Sequence, residues 1–166
     1  LGVVIGINLD YCEGFETTFD KLCKAVSGCD LIVGTSMGGY MASHVGSACG
    51  IPFVALNPAI NPRDSLIRHI GSFVDYGGNN KVLSEAVVAN YPDIKTTNGC
   101  GLILLESGDN IIDPTATKAL LDPVYDVRLY EGGSHRFDSL PMVLDEIVAF
   151  VEVAEIVYGF GDGSGD

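Results

Sequence analysis

The chain is 166 residues long and carries a formal net charge of −13, with a pI near 4.3. A surface that acidic repels phosphate backbones and anionic headgroups, which argues against nucleic acid and membrane surfaces as partners. The length predicts one domain with a core that needs no covalent staples, and five cysteines with no C-x-x-C pair exclude a disulfide framework and a zinc spacing, fitting reduced thiols in a cytoplasmic protein.

Gly2 to Asn8 reads as a strand. Gly14 to Val26 reads as a helix, with Phe15, Phe19, Leu22, Cys23 and Val26 at helical spacing. Asp30 to Val33 is a short, buried strand of the kind found in parallel sheets, and Met37 to Ala48 is a helix rich in Gly, Ala and Ser. Between them lies Gly34-Thr35-Ser36-Met37-Gly38. A strand running into Gly-x-Ser-x-Gly and then a helix is the setting of a nucleophile elbow, where a serine hydroxyl is exposed on a strained turn. Gly34 and Gly38, lacking Cβ atoms, would let strand end and helix start approach closely. The plainer reading is a turn whose serine caps the helix.

Ile51 to Leu56 is a third strand, closed by Asn57-Pro58. Pro62 to Asp93 is predicted to hold two helices, near Asp64–Val74 and Lys81–Asn90, with a Gly-Gly-Asn-Asn break between them. Gly101 to Glu106 is a strand, Thr115 to Leu121 a short helix, and Tyr125 to Tyr130 the last strand. Leu140 to Val157 is the closing helix; Asp145, Glu146, Glu152 and Glu155 make it an amphipathic surface helix rather than a membrane span. Residues 159–166 form a Gly/Asp tail expected to be mobile. No signal peptide is legible, and a chain opening at Leu1 inside a strand reads as a fragment or processed form. Alternating strands and helices predict one α/β domain over 1–158, a mostly parallel sheet with helices on both faces. Ligands then bind beyond the carboxyl ends of the strands.

A serine hydroxyl needs a base, and the base needs an orienting group. Of three histidines, His135 is placed best, in the loop Glu131-Gly132-Gly133-Ser134-His135-Arg136-Phe137 after the last strand. His44 lies two helical turns past Ser36, and His69 lies in the inserted segment. The orienting acid should follow Leu102–Leu105, where Asp109 and Asp113 are available. Asp109 is nearer the strand end; Asp113 precedes Pro114 and reads as a helix cap. The order Ser36, Asp109, His135 suits an α/β-hydrolase. Neutral His135 would take the Ser36 proton, Asp109 would hold the imidazole, and the Met37 N–H would be one oxyanion donor.

Four blocks carry a family resemblance: Gly34 to Tyr40, Leu56 to Pro62, Ser107 to Asp113 and Glu131 to Phe137. In that order they resemble the YqiA-like bacterial esterases, small α/β-hydrolases. The resemblance implies cofactor-free hydrolysis of carboxylic esters or thioesters, no metal, and a triad on Ser36, Asp109 and His135. The front of the chain departs from the family, which opens with a strand ending in His-Gly-Phe-Asn and has two strands and two helices before the elbow. Either Gly6-Ile7-Asn8 replaces that motif, making Ile7 N–H the second oxyanion donor, or the oxyanion loop is absent. Residues 62–93 stand where such folds carry a small helical cap. There Leu66, Ile70, Phe73 and Tyr76 would line an acyl pocket, or else pack down on the core. Two functions stand side by side: a serine esterase or thioesterase, and a weak or inactive hydrolase-fold protein used for binding or assembly. Acyl transfer would use the same triad, and homo-oligomerisation is left open.

Overall fold

The structure, a computed structural model, describes residues 2–75, 77–96 and 99–159. Four segments become the strands of one sheet: β1 (Ile32–Thr35), β2 (Phe53–Leu56), β5 (Gly101–Glu106) and β6 (Asp126–Tyr130). They pair in parallel in the order β1-β2-β5-β6. The register sets Thr35 beside Leu56, Leu56 beside Leu104, and Glu106 beside Tyr130. The carboxyl ends of all four strands therefore open on one edge.

Continuous apolar sequence in β2 and β5 follows from burial on both faces. Phe53, Ala55, Ile103 and Leu105 point into one core, which is filled by α1 (Phe15–Ala25), α2 (Met37–Cys49) and Leu121 of α5 (Pro114–Leu121). Val54, Leu56, Leu102 and Leu104 point the other way, against Phe137, Val143 and Ile147 of α6 (Leu144–Tyr158) and the loop before it. The mostly parallel, helix-flanked architecture expected from the sequence is thus present. Among the described residues no helix is long and apolar enough to cross a membrane.

Two stretches depart from expectation. Gly2 to Asn8 is not a strand; it has no regular structure, and Val3 and Val4 are 95% and 88% exposed. A β-branched apolar run becomes a strand only where a neighbour takes its N–H and C=O groups. Here the segment stands off the outer edge of β1 across a cavity of about 390 Å³, lined by Ile5, Ile7 and Leu9 on one side and Ile32, Gly34 and Thr35 on the other.

The second departure is the segment after β2. Instead of two helices it holds α3 (Pro62–Leu66), a 3-10 turn at Ile67–His69, an antiparallel hairpin of β3 (Gly71–Val74) and β4 (Asn80–Leu83), and α4 (Glu85–Ala89). The helical stretch ends at His69; Ile70 is already extended at ψ 131, and Gly71 at φ +117 then turns the chain into β3. The Asp75 carboxylate then accepts N–H bonds from Gly77 and Asn79, which builds the hairpin turn. The second expected helix is shortened because Ser84 caps α4, accepting from Val87 N–H.

His44 is buried among Phe15 and Tyr40, with Nε2 3.2 Å from the Asp93 carbonyl oxygen. Burial pushes its pKa down to about 4, with Lys95 adding to the effect and the Asp93 carbonyl opposing it. A folded-state pKa below the ordinary value near 6.5 favours folding while the ring is neutral, and that contribution is lost as pH falls from about 6.5 towards 4. The melting temperature should therefore drop over that window, and His44→Gln, which cannot titrate, should flatten that part of the profile.

Candidate active site

Ser36 sits between β1 and α2 at φ 55 and ψ −119, a sparsely populated conformation for a residue with a Cβ. Its backbone is held from three sides. Ser36 N–H donates to Leu56 O at 3.0 Å, and its carbonyl accepts from Tyr40 N–H at 3.0 Å and Ala59 N–H at 3.1 Å. A Cβ on Gly34 would lie 2.2 Å from Gly38 O, and one on Gly39 2.9 Å from Gly34 O, so these two glycines make the sharp turn geometrically feasible. Gly38 was expected to share that role, but a Cβ there would meet nothing within 4 Å. The serine side chain makes no capping bond to the helix, which sets aside the plainer reading of this turn. The hydroxyl points instead at His135, with Oγ 2.9 Å from Nε2.

The other ring nitrogen, Nδ1, lies 2.8 Å from Asp109 Oδ2. An ionised carboxylate only accepts, so the proton belongs on Nδ1, and Nε2 is left to accept from the serine hydroxyl. The Asp109 side chain is 1% exposed and that of His135 24%. Asp109 is fixed through its second oxygen, which accepts N–H bonds from Ile111 (2.8 Å) and Ile112 (3.0 Å). Asp113 does not reach the site; it caps α5 by accepting from Thr115 and Ala116 N–H groups. His44 and His69 also lie elsewhere, the first in the aromatic cluster and the second in the 3-10 turn.

Met37 is the first residue of α2, where helix N–H groups have no intrahelical partner and the macrodipole is positive. Ile7 lies in the irregular front segment and lines the β1 cavity together with Thr35 and Gly38, the residues flanking the elbow. Of the four side chains expected to line an acyl pocket, the three described lie in different surroundings. Leu66 is buried in the main core and Ile70 packs against it, whereas Phe73 is 39% exposed on the hairpin. Tyr76 lies outside the described residues. Among those described, no group of three or more His, Cys, Asp and Glu is placed to hold a metal.

Two residues at the strand ends escaped sequence reasoning. Asn57, at φ 41, accepts from Glu106 N–H through Oδ1 and donates to the Ser134 carbonyl through Nδ2, both at 2.9 Å. Glu106 is wholly buried at the end of β5. Burial alone would raise its pKa, but the Ser139 side chain and the N–H groups of Ser134, Asp138 and Ser139 hold it below the ordinary carboxylate value. The available signals were an amide followed by proline after one strand and a lone charge closing an otherwise apolar one.

This arrangement stands on a known fold. The Est1E structure from Butyrivibrio proteoclasticus superimposes with a TM-score of 0.60 at 16% identity, covering 84% of this chain and 69% of that one. The mouse alpha/beta hydrolase domain-containing protein 10 gives 0.55 at 14% identity, covering 88% and 70%. These likenesses identify an α/β-hydrolase fold. In sequence, the UPF0227 proteins of Shewanella loihica and Vibrio atlanticus are each 30% identical over 122 and 120 residues, or 74% and 72% of this chain. The chain spans 64% of the length of both relatives. Residues 14–152, from α1 through most of α6, match the uncharacterised protein family UPF0227, and the chain belongs to that family.

Proposed function

We propose that this chain is a serine hydrolase that cleaves small carboxylic esters or thioesters through an acyl-enzyme. The observation that carries the reading is the unbroken line from Ser36 Oγ through His135 (2.9 Å) to Asp109 (2.8 Å), set on a strained, uncapped serine. His135 Nε2 takes the hydroxyl proton as Oγ attacks the acyl carbon, and Asp109 steadies the imidazolium that forms. The tetrahedral oxyanion falls to the Met37 N–H at the positive end of α2. His135 then gives its proton to the departing alcohol or thiol, and the steps repeat with water to release the acid. The shared α/β-hydrolase fold supports the reaction class, and the free cysteines fit a cytoplasmic setting.

The front segment favours a second reading. Ile7, the candidate second oxyanion donor, sits in a stretch without regular structure, and a half-built oxyanion hole would leave a weak enzyme or a binding protein. Each missing donor costs about 3 kcal/mol of barrier.

Reaction with a fluorophosphonate probe separates the two. One covalent adduct by intact mass, mapped to the peptide containing Ser36, supports an activated nucleophile. No adduct on folded protein overturns the hydrolase reading and leaves the binding role.

A further inference from the structure

We infer that Glu106 and Asn57 are positioning residues that fix His135 against Ser36. The inference rests on reading Ser36, His135 and Asp109 as a working triad, but its physical content is independent of turnover. His135 sits in a loop with two consecutive left-handed glycines, Gly132 (φ 78) and Gly133 (φ 71), and a left-handed Phe137 (φ 62) two residues on. Such a sequence has no intrinsic reason to hold one conformation. The Glu106 carboxylate supplies it. Oε2 accepts from Ser134 N–H at 2.7 Å and Asp138 N–H at 2.9 Å, and Oε1 accepts from Ser139 N–H at 2.6 Å. The backbone is thus pinned on both sides of His135, one residue before it and three and four after.

Asn57 completes the clamp from the other strand. It grips the Ser134 carbonyl, while its own N–H donates to Leu104 O at 2.9 Å. Asn57 directly follows β2, whose last residue, Leu56, accepts from Ser36 N–H. The base loop and the nucleophile are therefore referred to the same strand end. Gly133 packs flat on Glu106: a Cβ there would stand 2.0 Å from the carboxyl carbon. The fit leaves no room for a side chain between clamp and loop.

Two variants test this without emptying the core. In Glu106→Gln the shape is kept, but one of the two oxygens becomes an NH2 group facing a backbone N–H. Gly133→Ala leaves Glu106 in place and pushes the exposed loop off it. Misplacement of a catalytic group by about 1 Å costs about a hundredfold. Fluorophosphonate labelling of Ser36 should slow about a hundredfold in Gly133→Ala and about tenfold in Glu106→Gln. For p-nitrophenyl butyrate, kcat should fall while KM stays near wild type. The low-field Nδ1 proton resonance of His135, assigned by its absence in His135→Ala, should weaken or vanish in both variants with far-ultraviolet dichroism unchanged. That resonance reports the contact of His135 Nδ1 with Asp109 and not the reactivity of Ser36. If wild type takes no label but shows the resonance, and the variants lose it, the positioning role stands and the hydrolase reading falls. Wild-type resonance and wild-type labelling in both variants would overturn the positioning role.

Discussion

Ser36→Ala is expected to abolish ester hydrolysis, a loss of about a millionfold in kcat by comparison with other triad serines, with the fold intact. The size follows from the chemistry. Without Oγ the proposed acyl-enzyme cannot form, and the His135 imidazole and the α2 N-terminus would have only water to activate. The fold should survive because Oγ makes no bond that the helix needs, while the backbone bonds to Leu56, Tyr40 and Ala59 are unaffected. A sharper form of the experiment uses Ser36→Gly. At φ 55 and ψ −119 a Cβ is strained by about 1–3 kcal/mol, and glycine relieves that strain at some cost in chain entropy. Ser36→Gly should be as inactive as Ser36→Ala yet melt at a higher temperature. Rates on p-nitrophenyl esters and melting curves read both. Activity surviving in either variant would remove Ser36 from the reaction; a lower melting point for Ser36→Gly than for Ser36→Ala would show that the elbow stores no strain.

How much of this was legible in the sequence depends on how local the cause was. The two central strands were readable because burial on both faces demands uninterrupted apolar residues, as in Leu102 to Leu105. The convergence of Ser36, Asp109 and His135 was readable because each follows a strand of one parallel sheet, and topology brings them to one edge. The hairpin was not readable: Ser72, Phe73 and Val74 have no strong helical or strand pattern, and the outcome turns on the conformation of Gly71 and the Asp75 turn. The front segment misled for the opposite reason, since Val3, Val4 and Ile5 carry a strand pattern whose partner is supplied by tertiary context alone. Glu106 was passed over because its partners are backbone N–H groups some thirty residues away, and backbone donors leave no trace in side-chain identity.

The two aspartates of the loop after β5 give the most discriminating comparison. They look alike: each uses one oxygen to accept N–H bonds from the residues two and three positions on. Only the second oxygen differs, because that of Asp109 meets His135 Nδ1. In Asp109→Asn the turn bonds can persist, so the loop should keep its shape. The amide NH2 would then face Nδ1, and a donor there requires that Nδ1 be unprotonated. The ring proton moves to Nε2, where it points at Ser36 and cannot be a vacancy for the hydroxyl proton. About ten-thousandfold of kcat should be lost with KM nearly unchanged. Asp113→Asn keeps a competent cap and loses only a charge at the α5 N-terminus, about 0.3–1 kcal/mol, so its kcat should stay within about twofold of wild type. Equal losses at the two positions would mean that the 2.8 Å contact to His135 does not set the tautomer, and the acid of the triad would have to be sought elsewhere.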